Sequence, residues 1–120
     1  HEHRCRFLHG HNYRVTFECT SEELDDLGRV IDFSMLKQLL CQWLEDNWDH
    51  RTLLWDKDEL IGELAAVADS IVAVPFNPTA ENMAAHLLSV VGPQQLAGTG
   101  VTLARVTVEE TRKCSAEASL

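Results

Sequence analysis

HGHNYRVTFECT, residues 9–20, is the stretch on which the fold turns. Tyr13, Val15, Phe17 and Cys19 alternate with Arg14, Thr16 and Glu18. A period of two places the first set on one face and the second on the other, which predicts a half-buried strand. The same parity runs back through His11 and His9. A strand starting at the His-Gly-His therefore projects both imidazoles from its core-facing side. Gly10 between them allows close backbone approach.

Downstream, SEELDDLG (21–28) is an acidic connection and GRVID (28–32) predicts a short second strand in an antiparallel pair. At Phe33 the period changes. Met35, Leu36, Leu39, Leu40, Trp43 and Leu44 form one helical stripe, with Ser34 or Asp32 as cap and an end near Asn47. Residues 48–69 predict a loop around Asp49 and His50, then a short helix. SIVAVPF (70–76) predicts a third strand closed by Pro75. NPTAEN (77–82) carries a helix-start signature, with Thr79 as N-cap and Glu81 in the first turn. Met83, Ala84, Leu87, Leu88 and Val91 supply that helix's stripe, and Gly92-Pro93 predicts its end. GVTLARVTVEE (100–110) predicts a fourth strand with Ala104, Val106, Val108 and Glu110 on one face. The tail TRKCSAEASL (111–120) predicts poor order. Four strands and two long helices give an α+β fold, a four-stranded antiparallel sheet with both helices packed on one face.

The 120 residues predict one domain spanning 1–120. The formal net charge of −9 argues against a nucleic-acid ligand, which favours basic surfaces. Arg4, Arg6 and Arg14 can still form a local basic site for a small anion, or sit as solvated surface. No apolar run of about 18 residues is present, so no membrane partner is expected. The four cysteines, Cys5, Cys19, Cys41 and Cys114, show no secreted disulfide framework. They predict a reducing, cytoplasmic setting, with Cys19 and Cys41 as buried core thiols.

His9 and His11, two residues apart on a strand face, can grip one metal ion, and neutral imidazole suits zinc. Ordinary surface or core histidine is the alternative. Cys5, four residues before His9, reads as a ligand, a catalytic thiol or a structural thiol; beside a metal and arginines its thiolate would be favoured. Asp49-His50 is an adjacent acid and imidazole able to act as a proton relay, although such a dipeptide is common. Glu110 would end a strand on the core-facing side, where a ligand with adjacent N–H donors satisfies it, unless strand parity breaks at Glu109-Glu110.

Read together, C-x3-HGH-N-Y, G-x-V-I-D-F-x-x-L-K, W-D-H, N-P-T-A-E-N and V-x-V-E-E-T resemble the 6-pyruvoyl-tetrahydropterin synthase / 6-carboxy-5,6,7,8-tetrahydropterin synthase family, from Cys5 to about Cys114. The resemblance implies a tunnelling fold whose sheets close into a barrel by oligomerisation, with sites between subunits of a homo-oligomer, hexamer or tetramer. It implies a zinc-dependent lyase in which His9 and His11 bind Zn2+, Cys5 is the catalytic acid/base, Asp49 and His50 are its partners, and Glu110 anchors the pterin ring. The short C-x3-HGH gap is similar to the 6-carboxytetrahydropterin synthases of queuosine (7-deazaguanine) biosynthesis. These convert 7,8-dihydroneopterin triphosphate to 6-carboxy-5,6,7,8-tetrahydropterin, acetaldehyde and triphosphate. The alternative within the family is a triphosphate-eliminating 6-pyruvoyl synthase. A relative carrying glutamate in place of the cysteine is disfavoured by Cys5.

Two departures stand out. The family takes a third zinc histidine from an upstream strand motif of type F-x-A-x-H, and His1 and His3 align instead with the loop before the cysteine. The expectation is a chain lacking its native first strand, with His1 as the substitute otherwise. The family also often has an asparagine after the D-H loop, where this chain has Leu54-Trp55. The reading from another class is a non-catalytic zinc- or pterin-binding module, with Cys5, His9, His11 and Cys114 closing a structural site that unfolds on chelation.

Overall fold

The computed structural model describes residues 13–21, 33–59, 62, 70–110 and 114–120. Strand β1 (Tyr13–Ser21) follows the alternation of its sequence: Val15, Phe17 and Cys19 are half-buried while Arg14, Thr16, Glu18 and Thr20 are exposed. A helix, α1, follows over residues 33–47, then strands β2 (Thr52–Trp55) and β3 (Ile71–Val74). A second helix, α2, covers residues 80–95, and strands β4 (Val101–Glu110) and β5 (Cys114–Ser119) complete the order.

β4 is the centre of a three-stranded antiparallel sheet in the order β1-β4-β5. Val15 lies opposite Val108 and Phe17 opposite Val106. The register then skips a residue: Glu18 faces Arg105 and Cys19 faces Leu103. Ala104 is thus the extra residue of a β-bulge, and it reverses the strand's parity. Val101 and Leu103 are buried before it, Val106 and Val108 after it. The face expected from the sequence therefore holds from Val106 onward and fails at Ala104.

From Cys114 on, the tail expected to be poorly ordered is strand β5. It pairs from Glu110↔Cys114 to Arg105↔Ser119, and the carbonyl of Ala104 accepts the N–H of Leu120 at 2.9 Å. On the polar face, Arg105 lies between Glu18 (3.7 Å) and Glu117 (3.9 Å). These exposed pairs orient neighbouring strands and contribute at most about 1 kcal/mol each.

β2 and β3 form a separate, parallel pair from Thr52↔Ile71 to Trp55↔Val74. The sequence predicts β3 but misses β2. The short helix expected after the Asp49-His50 loop falls mostly outside the described residues, and so does GRVID. Among the described residues the antiparallel sheet has three strands; of the four strands expected in one sheet, β1 and β4 lie in it, SIVAVPF pairs in parallel with β2 instead, and GRVID lies outside the described residues.

Both helices contain a wider, π-helical turn, Lys37–Cys41 in α1 and Leu87–Val91 in α2. α1 begins at Phe33, so Ser34 lies inside its first turn rather than capping it. Leu40 is buried, while Met35, expected on the stripe, is 49% exposed. Cys41 is also exposed, contrary to the core thiol expected. It shares the solvent side with Lys37, Gln38, Gln42 and Glu45, one position beyond the buried Leu40. Cys19 is half-buried, and burial pushes its thiol pKa up.

α2 starts as expected: the Thr79 hydroxyl accepts the N–H of Asn82 at 3.1 Å, with Thr79 in extended geometry. Its end differs. Gly92-Pro93 does not stop the helix, which runs on to Gln95. The N–H of Gly92 bonds back to Leu87, and this wider turn immediately before Pro93 relieves the clash a proline ring makes in a regular helix. Gly92 serves packing instead. A Cβ built there falls 2.6 Å from Leu103 Cδ2, 3.0 Å from Leu103 Cβ and 3.2 Å from the Leu87 carbonyl. Gly92→Ala is expected to destabilise the protein by about 1–3 kcal/mol, measured as a lower urea midpoint.

α2 packs across β4 and β5. Met83, Ala84, Leu87 and Val91 meet Val101, Leu103, Val106 and Val108 in one buried cluster, joined by Leu40 and Trp48 from the first helical region. Gln95 Nε2 ties the helices by donating to the Leu39 carbonyl at 2.8 Å. No helix among the described residues is long and apolar enough to cross a membrane.

Candidate active site

The one expected constellation that the described residues bring together is Asp49 and His50. They follow the C-terminus of α1, where the N–H groups of Trp48 and Asp49 both donate to the Leu44 carbonyl at 2.8 Å. His50 then takes a positive φ of 58°, a left-handed conformation that non-glycine residues seldom adopt. Arg51 folds back, donating its N–H to the Trp48 carbonyl at 3.2 Å and its guanidinium to the Asp46 carbonyl at 3.2 Å. Thr52 enters β2 with its N–H on the Ser70 carbonyl at 2.9 Å. The loop is thus held on both sides, by the helix end and by the strand.

Within it, His50 Nδ1 lies 3.0 Å from Asp49 Oδ2. An ionised carboxylate only accepts, so Nδ1 carries the proton in this contact. In the neutral ring Nε2 is then a free proton acceptor. This is the orienting half of a relay: the carboxylate fixes the tautomer and stabilises the imidazolium that forms on proton uptake. The His50 side chain is 91% exposed, so the described residues place no wall around it.

The backbone that presents the pair rests on an aromatic cluster that the sequence reading did not pick out. Trp48, immediately before Asp49, is buried. Its ring meets Trp43 at 5.3 Å and Phe76 at 6.3 Å, both edge-on, and stacks on His86 at 6.1 Å and 25°. Phe76 and His86 close the cluster at 4.9 Å. Burial pulls the His86 pKa below the ordinary histidine value. The W-x4-W spacing at the end of α1 was the available signal.

Glu110 ends β4, opposite Tyr13 on one side and Cys114 on the other. The pairing register runs without a shift from Val106 to Glu110, so Glu110 keeps the parity of Val106 and Val108; Glu109 and Glu110 are both half-buried. Cys5, His9 and His11 lie outside the described residues. Among the described residues no three metal-capable side chains converge. Two surface hollows lie away from the Asp49-His50 pair. One of about 230 Å³ runs along the solvent side of α1, and one of about 400 Å³ lies between the end of α2 and the start of β4.

The sequence profile of the 6-pyruvoyl tetrahydropterin synthases matches residues 1–119. The chain is 33% identical over 119 residues to a 6-carboxy-5,6,7,8-tetrahydropterin synthase of Rickettsia felis, covering 98% of this chain and 86% of that protein. It is 34% identical over 109 residues to a probable 6-carboxy-5,6,7,8-tetrahydropterin synthase of Halobacterium salinarum, covering 87% of this chain and 69% of that one. In three dimensions it is similar to the crystal structure of an uncharacterized protein from Wolinella succinogenes. The TM-score is 0.81 at 25% identity, over 96% of this chain and 80% of the other.

Proposed function

From the fact that this chain belongs to the 6-pyruvoyl tetrahydropterin synthase family, we propose that it converts 7,8-dihydroneopterin triphosphate and water to 6-carboxy-5,6,7,8-tetrahydropterin, acetaldehyde and triphosphate. The observation that carries the reading is the Asp49-His50 pair, formed at 3.0 Å in a chain matched nearly end to end by the family. The C-x3-HGH spacing and the names of the relatives favour the 6-carboxy over the 6-pyruvoyl product.

In this reading Glu110 accepts hydrogen bonds from adjacent N–H groups of the pterin ring, a two-point contact that fixes the ring's orientation. His50 Nε2, with Asp49 holding the other nitrogen, takes and returns a proton on one face of the substrate side chain. Cys5 does so on the other. His9 and His11 fit a zinc site by their chemistry, two neutral imidazoles in a His-x-His pair. A zinc ion held there would supply Lewis acidity toward the side-chain hydroxyls. The openness around His50 supports a homo-oligomer in which a second subunit covers the site, because proton transfer of this kind gains from excluding water. A cytoplasmic setting, a small-molecule pterin substrate and the absence of a nucleic-acid partner complete the proposal.

The test is to load the protein with zinc, supply dihydroneopterin triphosphate and follow acetaldehyde through an alcohol dehydrogenase coupled to NADH oxidation. Acetaldehyde release that needs the pterin supports the reaction; its absence from folded, zinc-loaded protein counts against it. Glu110→Gln replaces a two-acceptor carboxylate with an amide that has one acceptor. It is expected to weaken pterin binding by about tenfold to a hundredfold, read as pterin fluorescence quenching. Unchanged affinity would remove Glu110 from the ring contact.

A further inference from the structure

We infer that His86 is a positioning residue whose ring, packed on Trp48 and Phe76, holds the backbone that presents Asp49-His50. The inference rests on the proposed role of that pair and extends it to a residue on another helix.

Four rings meet from separate parts of the chain: Trp43 within α1, Trp48 at its end, Phe76 between β3 and α2, and His86 within α2. Trp48 is the only one adjacent to the pair in sequence. Its N–H and that of Asp49 share one acceptor, the Leu44 carbonyl, so the backbone that carries the buried Trp48 ring is also the start of the Asp49-His50 turn. The next residue holds a φ of 58°, which persists only where surrounding structure over-determines it. β2 fixes the turn from the far side, through Thr52. On the near side the backbone bonds to Leu44 and Trp48 are joined by the buried Trp48 ring, and among the described residues His86 is the partner that stacks on its face rather than meeting it edge-on. With its pKa lowered by burial, His86 packs as a neutral aromatic ring near pH 7.

His86→Ala, His86→Leu and His86→Phe test this in the full chain. Loss of the flat ring is expected to lower kcat by about tenfold to a hundredfold in the alanine and leucine variants, by misplacing His50. KM should change by less than about twofold, because ring anchoring belongs to Glu110. His86→Phe is expected to restore most of kcat. The independent readout is NMR of the His50 imidazole: its carbon-bound Cδ2–H and Cε1–H signals should shift or broaden in His86→Leu and return in His86→Phe. The leucine variant fills the volume and serves if alanine fails to fold. Folded leucine protein with unchanged kcat and unchanged His50 signals overturns the inference, as does a phenylalanine variant that fails to rescue. If the wild type turns over no pterin, the proposed function fails, while the NMR comparison still decides whether His86 positions His50.

Discussion

His50→Asn is expected to lower kcat on dihydroneopterin triphosphate by about a hundred- to ten-thousand-fold, the range for removing a positioned general acid or base. Asparagine tolerates the positive φ at this position, and the side chain is 91% exposed, so the variant should fold normally. Asp49→Asn should cause a loss of similar kind by a different route. An amide can donate to Nδ1 and so stabilise the wrong tautomer, leaving Nε2 protonated and unable to accept. Cys5→Ala is expected to be as damaging. If Cys5 and His50 serve the two faces of one proton-transfer sequence, the double variant should be little worse than the more damaged single one. Full kcat in His50→Asn would dismiss the pair from catalysis.

Leu87→Ala carries the largest expected effect on stability. Leu87 is fully buried in the cluster between α2 and the sheet and lies in the π-helical turn of α2. Truncation there should cost about 2–5 kcal/mol, transfer and cavity terms together. Urea unfolding would show a lower midpoint with an unchanged slope. Met35→Ala, at a position 49% exposed, should shift stability by less than about 0.5 kcal/mol and serves as the control. A loss below about 1 kcal/mol at Leu87 would mean that the two-helix core is not assembled as described.

Strand β1 and helix α2 were legible because their signals are strong. Val15, Phe17 and Cys19 alternate without interruption, and Thr79 caps a helix whose stripe runs through Met83, Ala84, Leu87 and Val91. β5 escaped because its inward residues, Ala116 and Ala118, are too small to make an apolar alternation visible. β2 escaped because Thr52–Trp55 is four residues long and pairs with β3 across a long insertion. The parity change in β4 had no local mark, since a bulge at Ala104 is set by pairing with β1. Gly92-Pro93 misled because a wide turn just before the proline lets the helix pass through it.

At the site, adjacency made Asp49-His50 legible as a dipeptide, but only the fold shows Nδ1 facing Oδ2. The aromatic support was not legible, because Trp48, Phe76 and His86 are brought together by tertiary packing.

The most direct test of the account is the identity of the pterin product. Zinc-loaded protein with dihydroneopterin triphosphate, resolved by mass spectrometry, should yield 6-carboxy-5,6,7,8-tetrahydropterin, and His50→Asn should suppress it. A 6-pyruvoyl product formed in its place, or the 6-carboxy product formed at full rate without His50, would contradict the account.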